Sequence, residues 1–138
     1  MKAFTVVTLA FLWLCPCTVP AFPQSEELFS KIELAIKSGE ADSLSKWFAP
    51  TLDIEVLGDA RICSKNHAKQ IIKDFFAKYS PKNFSFIHQS GKGQMKYGIG
   101  NFYAGGERFR ITLFVSDEKD SPRIQQIRVE RASEVKAP

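Results

Sequence analysis

Between Phe109 and Val115 apolar and polar residues alternate with period two. Phe109, Ile111, Leu113 and Val115 fall on one side, and Arg108, Arg110, Thr112 and Phe114 on the other. That spacing predicts a strand with one apolar face and one largely basic face. Gly105-Gly106 just before it supplies a turn, because glycine takes positive φ without a Cβ clash. The preceding segment, Gln94 to Tyr103, is the other arm of the hairpin. Two registers fit. A three-residue loop, Ala104-Gly105-Gly106, sets Phe102 outward among the arginines. A two-residue loop pairs Phe102 with Phe109 and moves Tyr97, Ile99 and Tyr103 to the arginine side, because a one-residue shift exchanges the faces.

The rest of the pattern supplies partners for this hairpin. Leu28, Ile32, Ala35 and Ile36 share a helical face that Gly39 ends. A shorter helix is expected next, with Leu44, Trp47 and Phe48 as its buried side, stopped by Pro50. Leu52 to Leu57 alternates as a strand, Gly58-Asp59 turns, and Arg61 to Cys63 returns. Ser64 is a helix cap, and Ala68, Ile71, Ile72, Phe75, Phe76 and Tyr79 repeat at three- and four-residue spacing. From Asn83 onward only strands and turns follow, the last strand being Ile124 to Arg131. The order helix, helix, strand, strand, helix, then four strands predicts an α+β domain. A curved antiparallel sheet wraps around the long helix as a cone.

The first residues stand apart. Met1-Lys2 is positive, Ala3 to Leu14 is an apolar run, and Val19-Pro20-Ala21 offers a small residue at a cleavage position. This predicts a secretory signal peptide over residues 1–21, cleavage after Ala21, and a single domain over 22–138. The run is short for a membrane span, which needs about 20 apolar residues. The expected location is secreted or periplasmic, with no stable membrane span after cleavage. A lipoprotein is the less favoured alternative, since Leu14 and Pro16, not small residues, precede Cys15 and Cys17. Cleavage leaves Cys63 alone, so no internal disulfide is expected and the apolar core carries stability.

Nineteen basic and fifteen acidic residues give a net charge of +4, a modest excess that does not call for nucleic acid. Twelve phenylalanines point to an aromatic core. Trp47, Phe84, Phe86 and His88 are candidates to line the cone. Phe84, Phe86 and His88 share a strand phase, so His88 is expected to point inward, where an imidazole can serve as acid or base. No carboxylate lies in phase with it, so a core histidine is the favoured reading and no residue is assigned a catalytic role. Cys63 and His67 are two groups where a metal needs three or four, so neither metal nor cofactor is expected. Arg108, Arg110, Phe114 and Arg128 define a second candidate, an outer sheet face mixing arginine with aromatic groups, of the kind that binds polyanions or protein partners.

Several stretches carry a resemblance: the leader, Ile36-Lys37-Ser38-Gly39-Glu40-Ala41-Asp42-Ser43-Leu44-Ser45, Phe75-Phe76, Tyr97-Gly98-Ile99-Gly100, Phe109-Arg110 and Ile127-Arg128-Val129-Glu130. Over nearly all the chain after the leader, the sequence resembles the small secreted bacterial proteins of the domain of unknown function 4783 family. The resemblance implies a nuclear transport factor 2-like, or cystatin-like, α+β fold. It implies no activity, and the fold hosts many. Two functions follow as expectations. One is a non-enzymatic binding or assembly module of the envelope, using the cone for a small apolar ligand or the outer sheet face for a homodimer. The other is a small pocket enzyme of the isomerase or dehydratase type, using His88 with a tyrosine.

Overall fold

The computed structural model of the chain describes residues 24–118 and 121–133; the expected signal peptide over 1–21 lies outside these. The elements are α1 (Gln24–Lys37), α2 (Ala41–Ser45), β1 (Phe48–Val56), β2 (Asp59–Ser64), α3 (Lys65–Lys78), β3 (Asn83–Lys92), β4 (Met95–Ala104), β5 (Glu107–Glu118) and β6 (Ser121–Arg131). Their order is the one the hydrophobic pattern predicts. They form a six-stranded sheet in the order β2-β1-β6-β5-β4-β3. The pairings are antiparallel except between β1 and β6, which run parallel. α3 lies between β2 and β3 in the chain, so the segments before it and after it build opposite sides of the sheet.

The second helix is shorter than its sequence suggests. It ends at Ser45, and Phe48 opens β1. The Ile124 N–H donates to the Trp47 carbonyl at 2.6 Å, so the sheet takes this segment before Pro50 is reached. Ser64 caps α3 as expected, accepting from the His67 N–H at 3.3 Å.

One apolar interior joins helices and sheet. Phe75 of α3 lies 5.5 Å from Phe102 and 5.3 Å from Phe109, ring centre to ring centre, and Phe76 stacks on Phe102 at 6.0 Å. Each such ring removed from water stabilises the fold by about 1.5–3 kcal/mol. Helix α1 covers the edge strand β3. Phe29 meets Phe86 edge-on at 5.2 Å, and the Glu33 carboxylate accepts from the Phe86 backbone N–H at 3.2 Å. That contact satisfies a donor on an edge strand that has no further neighbour among the described residues.

Two glycines of β4 make room for these rings. A Cβ on Gly98 would stand 2.9 Å from the rings of Phe29 and Phe86, and one on Gly100 would collide with the Phe84 ring.

Candidate functional site: the outer face of the sheet

The β4–β5 turn decides what the outer face contains. Gly105 and Gly106 both have positive φ, 52° and 89°, as a two-residue hairpin loop of the type favoured by strand twist requires. Ala104 therefore pairs with Glu107 and Phe102 with Phe109. Phe102 is fully buried. Tyr97, Ile99 and Tyr103 stand on the side of the arginines, the consequence foreseen for the shorter loop.

Read across the strands, the outer face has three successive rows. Ser90, Tyr97, Phe114 and Gln126 are consecutive partners, and Gln126 adjoins Asp53. The next row is His88, Ile99, Thr112, Arg128 and Glu55. The third is Ser85, Asn101, Arg110 and Glu130. Tyr103 with Arg108 continues the face toward the turn. At its centre the rings of Tyr97 and Phe114 are tilted against one another at 5.9 Å. Tyr97, Ile99 and Phe114 are half-buried, while Met95 and Tyr103 are 48% and 39% exposed. Met95, Tyr97, Ile99 and Phe114 thus form a contiguous band across β4 and β5, with Tyr103 beyond the polar row of Asn101 and Arg110, where a solvated sheet face would carry isolated ones.

The three arginines differ. Arg128 is held by Glu55, Nε to Oε2 at 3.0 Å, across the parallel β1–β6 pairing. Arg110 is half-buried, and its Nε is buried with no hydrogen-bond partner among the described residues, although Glu130 is its cross-strand neighbour. A buried donor left without a partner costs about 1–3 kcal/mol. Arg108 is exposed.

The expectation that His88 points into the cone is overturned. The register of β3 on β4 slips at this point: Phe86 is opposite Gly100, yet His88 is opposite Ile99. Ile87 is the extra residue of a β-bulge, and the bulge exchanges the faces of everything after it. His88 therefore lies exposed on the outer face, with Nε2 3.2 Å from the Tyr97 hydroxyl. A tyrosine is within reach of the imidazole, but in open solvent and not in an interior pocket.

The other cone candidates are packing residues. Phe84 is 1% exposed and lies edge-on to Phe86 at 5.0 Å. Phe86 and Trp47 are partly buried against the core, and Lys31 sits over the Trp47 ring at 5.9 Å. The interior space between helices and sheet is taken by Phe75, Phe76, Phe84, Phe102 and Phe109. A concavity of about 310 Å³ opens at the far end of the β3–β4 hairpin, where Glu26 and Phe29 of α1 face Gln89, Gly91 and Lys96.

Among the described residues no cluster of three metal-ligating side chains occurs. Cys63 is buried and His67 exposed. Burial pushes the Cys63 thiol up; Arg61 nearby opposes this weakly and Asp53 adds to it. A raised thiol pKa is the reverse of what a nucleophile needs. Among the described residues no helix is long and apolar enough to cross a membrane.

A second polar centre, which the hydrophobic pattern gave no reason to single out, lies by the β4–β5 turn. Arg131 donates from Nη1 to Glu107 at 2.7 Å and from Nη2 to the Tyr79 hydroxyl at 3.0 Å. Its guanidinium lies over the Phe109 ring at 5.4 Å and the Tyr79 ring at 5.8 Å. The Glu107 and Tyr79 contacts raise the Arg131 pKa further.

Helices gathered on one face of a curved six-stranded sheet, with the other face uncovered among the described residues, define a nuclear transport factor 2-like α+β domain. The particular family follows from the sequence. Residues 29–130 match the model of a domain of unknown function, DUF4783, and the chain belongs to that family. It is similar to the crystal structure of a DUF4783 family protein from Bacteroides ovatus, at 24% identity and a TM-score of 0.71, over 74% of this chain and 93% of that one. A DUF4783 family protein from Bacteroides uniformis is similar at 21% identity and a TM-score of 0.71, over 75% and 95%. An NTF2-like protein of unknown function from Shewanella baltica shares the fold at 11% identity and a TM-score of 0.61, over 76% and 88%. No curated protein matches the chain.

Proposed function

We propose that this domain is a non-enzymatic assembly module of the cell envelope. It works through the outer face of its sheet, and its occupant is a second copy of the chain related by a two-fold axis. The observation that carries this reading is the contiguous band of Tyr97, Ile99 and Phe114, continued by the exposed Met95. A band of this kind gains by leaving water, at roughly 25 cal/mol per Å² of apolar surface covered.

Charge supports self-pairing over a polyanion partner. Arg128 is already matched by Glu55, and Glu130 is the cross-strand neighbour of Arg110, whose Nε has no partner among the described residues. A face carrying both signs can complement its own copy. Like charges at Arg108, Arg110 and Arg128 oppose the pairing unless acidic groups such as Glu130 cross over to meet them. The pocket-enzyme alternative is the weaker reading, because His88 and Tyr97 meet in open solvent, where a developing charge gains little from fixed dipoles.

Export follows from the leader pattern of Met1 to Ala21. Intact mass of protein recovered from outside the cytoplasm should correspond to a chain starting at Phe22. A chain still starting at Met1, or one bearing lipid on Cys15 or Cys17, would contradict it.

The face is tested by Phe114→Glu. Light scattering should show the variant at half the mass of the parent protein, with an unchanged far-ultraviolet circular dichroism spectrum. A folded Phe114→Glu variant that associates as the parent does would remove the face from the account.

A further inference from the structure

The end of the molecule opposite the hairpin of β3 and β4 carries a second feature, which borders the association face at Tyr103 and Arg108. Three shallow concavities of about 340, 410 and 360 Å³ surround the β4–β5 turn. Each is lined in part by Glu107, and between them they bring together Lys78, Lys82, Arg108 and Arg131. These come from four parts of the chain: the end of α3, the link into β3, and the neighbouring strands β5 and β6. Nothing in the linear sequence groups them.

The charges do not cancel. Arg131 is the one cation of the four that the fold has already engaged, through Glu107 and Tyr79. That bond also occupies the only acid among the described residues that line these concavities. Lys78, Lys82 and Arg108 form no ion pair among the described residues. The Lys78 ammonium lies 5.4 Å over the Tyr79 ring. The backbone that carries Lys82 and Arg108 is nevertheless set. The Lys82 N–H donates to the Tyr103 carbonyl at 2.8 Å, and the Arg108 carbonyl accepts from the Ala132 N–H at 3.0 Å. Between the cations the turn itself is Gly105-Gly106, exposed and without side chains, so a ligand can reach the backbone there.

We propose that this end of the domain binds a small ligand bearing phosphate groups. Three exposed cations around a bare glycine turn, without ion pairs among the described residues, suit a multiply charged, compact anion. Arginine can grip phosphate through two parallel N–H bonds, and lysine adds point charge. Each concavity is of the size that holds a small ligand. The exposed ring of Tyr103, which lines the middle one beside Lys82 and Arg108, offers a flat surface for the part of the ligand that carries the phosphates. Because the site is exposed, binding weakens as salt rises.

The test is a titration of the isotope-labelled protein with pyrophosphate, followed through backbone amide resonances. Saturable shifts centred on Gly105, Gly106 and Glu107 are expected. Lys78→Gln/Lys82→Gln should weaken binding at least tenfold while leaving the spectrum of a folded protein. Arg108 is left in place because it borders the association face. Lys37→Gln/Lys46→Gln, which removes two exposed lysines elsewhere, should bind as the parent does. Absence of saturation would overturn the site, and so would equal weakening by both lysine pairs. In a parallel arm, flotation with phosphatidylglycerol vesicles but no response to pyrophosphate would assign the charge to a lipid surface and overturn the small-ligand site.

Discussion

Phe102 and Phe109 face each other directly across the β4–β5 hairpin, both wholly buried, and this one pairing assigns every other side chain of the hairpin to its face. It depends on a turn of two residues, each with positive φ. A β-branched side chain in that region is strained by roughly 1–2 kcal/mol. Gly106→Val should therefore lower stability by about that amount in urea unfolding, although a Cβ there would touch nothing. Loss of less than a few tenths would show that the turn is not under this constraint.

The interior is expected to be intolerant of cavities. Phe75 meets Phe76, Tyr79, Phe102 and Phe109. Phe75→Ala should cost about 3–5 kcal/mol, whereas Leu34→Ser, at a position 65% exposed, should stay within about 0.5 kcal/mol. Similar losses at both positions in denaturant titrations would mean that α3 does not present Phe75 to the core.

Tight packing also limits what can be added. Gly100→Ala places a methyl group against the Phe84 ring, and overpacking of this kind costs about 1–3 kcal/mol. A variant as stable as the parent would show that the Phe84 ring moves aside freely.

The helices and the inner face of the sheet were legible because their signal is redundant. Four or more apolar residues in phase on α3 or β5 outweigh any one exception. Local events were less so. The bulge at Ile87 adds a single residue to β3, and its one trace in the sequence is an apolar side chain out of alternation between Phe86 and His88. That residue alone reversed His88. The parallel pairing of β1 with β6, and with it the Glu55–Arg128 contact, joins residues 73 apart in the chain. The cluster of Arg131, Glu107 and Tyr79 is likewise assembled from three elements, and no local spacing announces such contacts.

His88→Gln should leave stability within about 0.5 kcal/mol of the parent, since the ring is exposed and a surface change of this kind touches no core packing. It should leave any small-molecule turnover unchanged as well. A reproducible activity that this substitution abolishes in a folded protein would restore the enzyme reading.

Cys63 provides a pH-dependent check. Burial raises its thiol pKa above the ordinary range, so its contribution to stability is fully present below the unfolded-state value and is lost as pH rises through the folded value. Alkylation by iodoacetamide at neutral pH should be slower in the folded protein than in urea. Equal rates would show that the thiol is reachable from solvent.

The central claim is that the outer sheet face meets its own copy, and sedimentation of the unmutated protein addresses it most directly. Over a concentration series at low and at high salt, the protein should shift from monomer to dimer as concentration rises. Salt should move the midpoint without abolishing the dimer, because the centre of the face is apolar and its rim charged. A monomer throughout, at the highest concentration and at both salt levels, would contradict the account.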